Sequence, residues 1–217
     1  MATINLSSID SKYVESLATE GPTWLSSLRK DAFAKYQSLP PEVSPLYSKY
    51  SDVNKIRSEN IHFALGEQAQ ASINNDLADR LAELEKETGI LQVGQEPARI
   101  IVPESVSKQG VIISTLKDAL RNHEDLVKSQ MDANPVNILE DKFLALEASS
   151  NQTGVFIYIP KNVFVEDPIR IITSLADDGT SLISRNIIVA EPSSKATVVQ
   201  ELYAPGVSER RELQQGY

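Results

Sequence analysis

The chain contains no cysteine. That absence rules out disulfides, a thiolate nucleophile, and cysteine ligation of zinc or of an iron–sulfur cluster by this polypeptide. Histidine is almost missing too: His62 and His123 are the only two. His62 stands beside Phe63 and His123 beside Glu124 and Asp125, a spacing that matches no ligand pair, so both read as surface or helix-end residues. Positive charge is in deficit, with 21 basic against 30 acidic residues and a formal net charge of -9. A surface of that sign repels a phosphate backbone, and without a local basic patch nucleic acid is excluded as a partner. The acidity itself needs no function beyond a solvated surface. No apolar run approaches the ~18 residues of a membrane span. The start, Met1-Ala2-Thr3-Ile4-Asn5-Leu6, has neither the charged beginning nor the apolar core of a signal peptide. The expectation is a soluble, cytoplasmic chain with no membrane partner. A G-x-x-x-x-G-K-[ST] loop is also lacking, which excludes ATP binding of that kind.

What is present falls into two styles. The 217 residues, 41% hydrophobic, suffice for one large core or two modest ones. Residues 1–20 carry weak helical signals. A first firm helix opens at Gly21-Pro22-Thr23-Trp24 with Thr23 as its expected N-cap; Leu25, Leu28, Ala32 and Tyr36 recur at helical spacing, and Pro40-Pro41 stop it near Leu39. Pro45, Tyr47 and Tyr50 mark an irregular, packed connection. From Gly66 to Glu87, Ile73, Leu77, Leu81 and Leu84 form a narrow apolar stripe on a polar helix, with Gly89 as its C′ terminator. Such a stripe fits a surface helix packed on its own domain better than a coiled coil. Arg99–Val102 and Gly110–Ile113 are short strand candidates. Ser114 or Thr115 then caps a helix bearing Leu116, Ala119 and Leu120, Asn134-Pro135 breaks the chain, and Leu139, Phe143 and Leu146 announce a further helix.

Near Ser149-Ser150-Asn151 helical periodicity gives way to β-rich runs: Thr153–Pro160, Asp167–Ile172, Arg185–Glu191 and Lys195–Tyr203. They are separated by the turn signals at Pro160, Pro168, Asp177-Asp178-Gly179 and Glu191-Pro192-Ser193-Ser194. Two architectures suit four such runs in series, a β-sandwich and a parallel β-helix; the continuously apolar Ile187-Ile188-Val189 reads as a strand covered on both faces. The acidic pairs Glu140-Asp141, Glu166-Asp167 and Asp177-Asp178 resemble, at first sight, glycosidase carboxylates or a calcium site. Turn chemistry explains them sufficiently, and the basic pair Arg210-Arg211 reads as a tail charge. No catalytic, cofactor-binding or metal-ligating residue is assigned.

Several blocks, in order, resemble a known family. Gly154-Val155-Phe156-Ile157-Tyr158-Ile159-Pro160-Lys161-Asn162-Val163, with Val165-Glu166 and Pro168-Ile169 behind it, is similar to the signature of the SufB/SufD scaffold proteins of iron–sulfur cluster assembly. Arg185–Glu201 resembles that family's next strand block. Pro22-x-Trp24-Leu25-x-x-Leu28-Arg29-Lys30-x-Ala32 and Leu39-Pro40-Pro41 resemble the SufD-type opening helix and its exit, and Gly110–Ala119 and Asp141–Leu146 fill the places between. Three departures stand out: Leu46–Asp52 replaces a Trp-Arg-Tyr-Thr block, Asn162 replaces a glycine, and Glu147 stands where asparagine is common.

The resemblance implies an α+β chain, with a mainly helical N-terminal domain over residues 1–150 and the first coils of a right-handed parallel β-helix over 151–217. It implies a non-catalytic scaffold subunit, not an enzyme, that pairs with a SufB-like sister subunit and a SufC-like ABC-type ATPase. It binds no cofactor of its own, the cluster being assembled by the complex, and a second copy of the chain is a further candidate partner. Family members run to about twice this length, so the chain reads as an N-terminal portion whose last coil is exposed or paired with another molecule. The competing readings are a β-helix enzyme acting on polysaccharide and a free-standing β-sandwich binding module.

Overall fold

In the computed structural model, residues 9–40, 75–94, 96–133, 137, 139–175 and 181–203 are described. The expectations for Pro45, Tyr47 and Tyr50, Leu46–Asp52, His62, Ile73, Asn134-Pro135, Asp177-Asp178-Gly179 and Arg210-Arg211 lie outside them. The chain is mixed α+β and divides into two compact units. The first comprises Met1–Leu65, Thr115–Phe156 and Ser181–Ile187, the second Gly66–Ser114, Ile157–Thr180 and Ile188–Tyr217.

The first unit is built on helices α1 (Ser11–Ala18), α2 (Thr23–Ser38), α5 (Leu116–Asn122), α6 (Glu124–Asp132) and α7 (Lys142–Ser150). Asp10 starts α1 by accepting the Tyr13 backbone N–H at 2.8 Å, which satisfies one of the donors a helix start leaves open. Pro22, not Thr23, occupies the N-cap of α2; its fixed φ suits the entry, and Thr23 becomes the first helical residue. Leu25, Arg29, Ala32 and Phe33 form the buried face of α2. It packs against α7, where Ala145, Ala148 and Ser149 are fully buried and small enough to let the helices approach. A core of Ile9, Tyr13, Val14, Phe33 and Leu146 joins α1 to this pair. The far end of α2 is capped from α7: the Lys142 ammonium donates to the carbonyls of Tyr36 and Leu39, both at 2.7 Å. A cation there also opposes the negative end of the helix dipole. Thr115 caps α5 as the sequence predicts, accepting from the Asp118 N–H at 3.0 Å.

The second unit holds α3 (Asn75–Leu84), β1 (Thr88–Val93), β2 (Glu96–Ile101), the short α4 (Glu104–Ser107), β5 (Ile169–Ser174) and β7 (Val198–Tyr203). Its sheet runs β2-β1-β5-β7. β1 pairs antiparallel with β2 and parallel with β5, and β5 pairs parallel with β7. Every residue of β1 is buried, as expected of a strand covered on both faces. Leu77 and Leu84 from α3 close one face over Leu91, Val93 and Ile172. Gly89 corrects its sequence reading: α3 ends at Leu84, and Gly89 is the second residue of β1. A Cβ there would stand 2.3 Å from the Arg170 carbonyl oxygen, so glycine is needed for close backbone approach, not to end a helix.

A second sheet has the order β3-β4-β6, from β3 (Ile112–Thr115), β4 (Val155–Ile159) and β6 (Ile187–Ala190). The segments after Thr153 run in parallel register at a nearly constant interval. Thr153 bridges Ser184 and Phe164 bridges Lys195, an identical step along the chain in both cases, and Ile169 pairs with Val198 at a step barely shorter. The turns repeat at the same spacing. Val163 N–H bonds the Pro160 carbonyl at 3.2 Å and Ser194 N–H the Glu191 carbonyl at 3.0 Å, and the third residues, Asn162 and Ser193, have φ of 63° and 61°. A left-handed third position favours glycine or asparagine, which accounts for Asn162. The antiparallel pairing a sandwich requires occurs, among the registers described, only between β1 and β2.

Candidate functional site

Each unit centres on arginine. In the first, Arg29 is buried on α2 and reaches the segment that leaves α7. Its Nη1 donates to the Asn151 carbonyl at 3.0 Å and the Ser149 carbonyl at 3.3 Å, and its Nη2 to Asn151 Oδ1 at 2.8 Å. Asn151 Nδ2 donates to Glu147 Oε1 at 3.1 Å, and Arg185 closes the chain with its Nε on the same oxygen at 2.9 Å and its Nη2 on Oε2. Glu147 thus balances Arg185, a role a neutral asparagine would not fill. Burial, helped by the nearby Arg185 charge, pushes the Arg29 guanidinium down to about 10. Beside this network Gly154 lies so close to Arg185 that a Cβ would fall 1.7 Å from the Arg185 carbonyl oxygen. The glycine that begins the sequence signature is therefore demanded by packing. Tyr13, whose hydroxyl burial raises to about 12, lies within the same unit.

In the second unit two arginines and two glutamates alternate in a ring. Arg80 on α3 grips Glu201 on β7 with two bonds, Nε to Oε2 at 2.9 Å and Nη2 to Oε1 at 3.0 Å. Arg80 Nη2 also meets Glu87 at 2.7 Å. Arg170 on β5 bonds Glu87 through Nε and Glu201 through Nη1, each at 3.0 Å. Glu83 reaches Arg80 at 3.4 Å from the rim. The bidentate Glu201 contact foremost holds the Arg80 guanidinium above its ordinary range, and the same contact holds the Glu201 carboxyl below its own.

Of the residues weighed in the sequence, Asp141 and His123 occupy structural positions. Asp141 caps α7, accepting from the Phe143 and Leu144 N–H groups at 2.9 and 2.8 Å. His123 sits between α5 and α6, at a helix end. Among the described residues no group of three or more His, Cys, Asp or Glu is arranged to hold a metal ion, and no helix is long and apolar enough to cross a membrane. Sequence reading passed over the ring residues Arg80, Glu87, Arg170 and Glu201. A signal was there: Arg170 and Glu201 are the charges set inside two otherwise β-rich runs.

One more feature concerns the outer strands. β6 and β7 stand at sheet ends, each with one partner strand among the described residues. On them Ile188 is 48% and Leu202 76% exposed, and Phe164, the bridge residue between β4 and β5, is 59% exposed. Apolar side chains that sheet neighbours cover elsewhere are uncovered here.

The family model for the SufBD protein N-terminal region matches residues 9–171. The iron-sulfur cluster assembly protein SufD of Bacillus subtilis is 30% identical over 200 residues, which are 89% of this chain and 45% of that protein. Iron-sulfur cluster assembly SufBD family proteins of Staphylococcus haemolyticus and Staphylococcus aureus are 28% and 26% identical over 102 residues, 47% of this chain and 22% of each relative. The chain thus spans about half the length, or less, of the curated relatives it matches. On the family match and the extent of the Bacillus alignment, the chain belongs to the SufB/SufD family and is SufD-like within it.

Proposed function

We propose that this chain is part of a non-catalytic scaffold subunit for iron–sulfur cluster assembly, cytoplasmic, and active only in company. Its β-rich half forms the first coils of a right-handed parallel β-helix. What carries the reading is the constant interval: two bridges with an identical step, a strand pair with nearly the same step, and two matching turns. Chains that stack one coil on the next repeat in this way, each coil burying its face on its neighbour. The uncovered Ile188 and Leu202 then mark where the next coil stacks. The ABC-type ATPase of the complex supplies hydrolysis, a SufB-like subunit shares the scaffold, and the cluster is the complex's cargo, not a cofactor of this chain.

The arginine networks favour a framework over a catalyst. In both, glutamates are engaged by guanidinium groups, and Glu201, held below its ordinary range chiefly by Arg80, has little basicity to offer. Cluster formation from iron and sulfide by the sister subunit and the ATPase, followed by the visible absorption of the cluster, tests the role. Adding a full-length family member that includes this segment should raise the yield. Equal yield with and without it would refute the scaffold role, and release of reducing sugar from pectin by the chain would favour the polysaccharide enzyme instead.

A further inference from the structure

We infer that the Arg80–Glu201–Arg170–Glu87 ring sets the register of β7 on β5. This stands apart from the scaffold reading, since it rests only on the sheet. Strand register is normally fixed by hydrophobic alternation, because a slip of one residue turns every side chain to the other face. β7 lacks that information. Val199, Glu201 and Tyr203 share the face that carries the ring and the α3 core, while Val198, Gln200 and Leu202 share the other. Each face offers two apolar residues and one polar one, so apolarity barely distinguishes them. Nor does a second neighbour hold the strand, for β5 is its sole partner among the described residues.

Charge supplies what apolarity does not. A slip of one residue turns Glu201 away from Arg80 and Arg170 and leaves Arg80, whose side chain is 9% exposed, with the glutamates of its own segment alone. Losing a largely buried bidentate contact is costly. A slip of two keeps the face but carries Glu201 about 6.7 Å along the strand, beyond the bidentate reach of Arg80. The ring therefore rejects both errors, and the native pairing of Ile172 with Glu201 satisfies all four charged groups.

Because the chain has no cysteine, engineered pairs report register without background. In the native register Thr173 faces Leu202 and Ser174 faces Tyr203. A Thr173→Cys/Leu202→Cys pair should cross-link under mild oxidation, and a Ser174→Cys/Leu202→Cys pair should not. In the R80Q/E201Q background, where both faces remain equally apolar, the 173–202 disulfide should fall at least about twofold and the 174–202 disulfide should appear. In the R80M/E201L background, where the β7 residues on the ring face become wholly apolar, the 173–202 disulfide alone should return. Retention of the native pair alone in R80Q/E201Q would overturn the inference. So would loss of both cross-links together with the fold, which would assign the ring to general stability, or mixed registers in R80M/E201L.

Discussion

Two buried arginines, one in each unit, do different physical work. Arg29 holds backbone carbonyls and an amide, with no carboxylate in contact among the described residues, and burial lowers it. Arg80 is surrounded by carboxylates, and its bonds raise it. The first therefore fastens main chain to main chain, joining α2 to the exit of α7 by a contact that acid leaves unchanged. The second fastens through charge, which acid and salt can loosen. The comparison teaches that one residue type secures a helical unit and a sheet unit by separate means, and that the two should fail under separate conditions.

The largest effects should come from the glycines beside these networks. Gly154→Ala in the first unit and Gly89→Ala in the second each drive a Cβ into a backbone carbonyl, where no rotamer change relieves the clash. Each should cost about 3 kcal/mol or more, and residue-resolved amide exchange should show the loss beginning in the unit that carries the substitution. Arg29→Met strands the Asn151 side chain and two carbonyls and should destabilise the first unit by roughly 2–4 kcal/mol. Trp24 is the only tryptophan and is bonded to Glu124 within that unit at 2.9 Å, so its fluorescence in urea follows the change. The loss should be the same at acid and neutral pH, since the guanidinium stays charged throughout that range.

Glu201→Gln should cost less, about 1–3 kcal/mol, because the ring is partly open to solvent. Its signature lies in pH. The folded-state carboxyl is held below its ordinary 4.5, so its stabilisation is complete above that value and disappears as the pH falls through the depressed one. Acid titration of β7 amide protection should show this loss in the native chain and not in the variant, and high salt should weaken the native chain more. If Arg29→Met were the acid-sensitive variant and Glu201→Gln the insensitive one, the contrast would be reversed. The smallest effect is expected from Lys142→Met, which removes the cap on the last carbonyls of α2 and should cost about 1 kcal/mol, read again at Trp24.

Much of this was legible in the residues. The exits of α2 and α7, Thr115 as one of two candidate caps, and strands β4 to β7 follow from prolines, polar caps and apolar runs that act over a few positions. β1 was hidden because Gly89, read locally, looks like a helix stop; only the distant Arg170 backbone explains it. α1 showed only as a weak helical signal and α6 was missed because their buried faces are short, Tyr13 and Val14 in one and Val127 in the other. Who pairs with whom in the ring was invisible for a similar reason, although Arg170 and Glu201 stand out as charges in β-rich runs. Arg80 and Glu201 are 121 residues apart, and nothing local tells a paired arginine from a solvated one. The repeat interval could have been found by aligning the turn at Pro160 with that at Glu191.

The scaffold role is tested most directly by co-purification, with a tagged full-length family member containing this segment expressed beside a SufB-like subunit and a SufC-like ATPase. Recovery of both partners, with no ATP hydrolysis when the ATPase is left out, is the predicted result. A full-length chain that retains neither partner would contradict it.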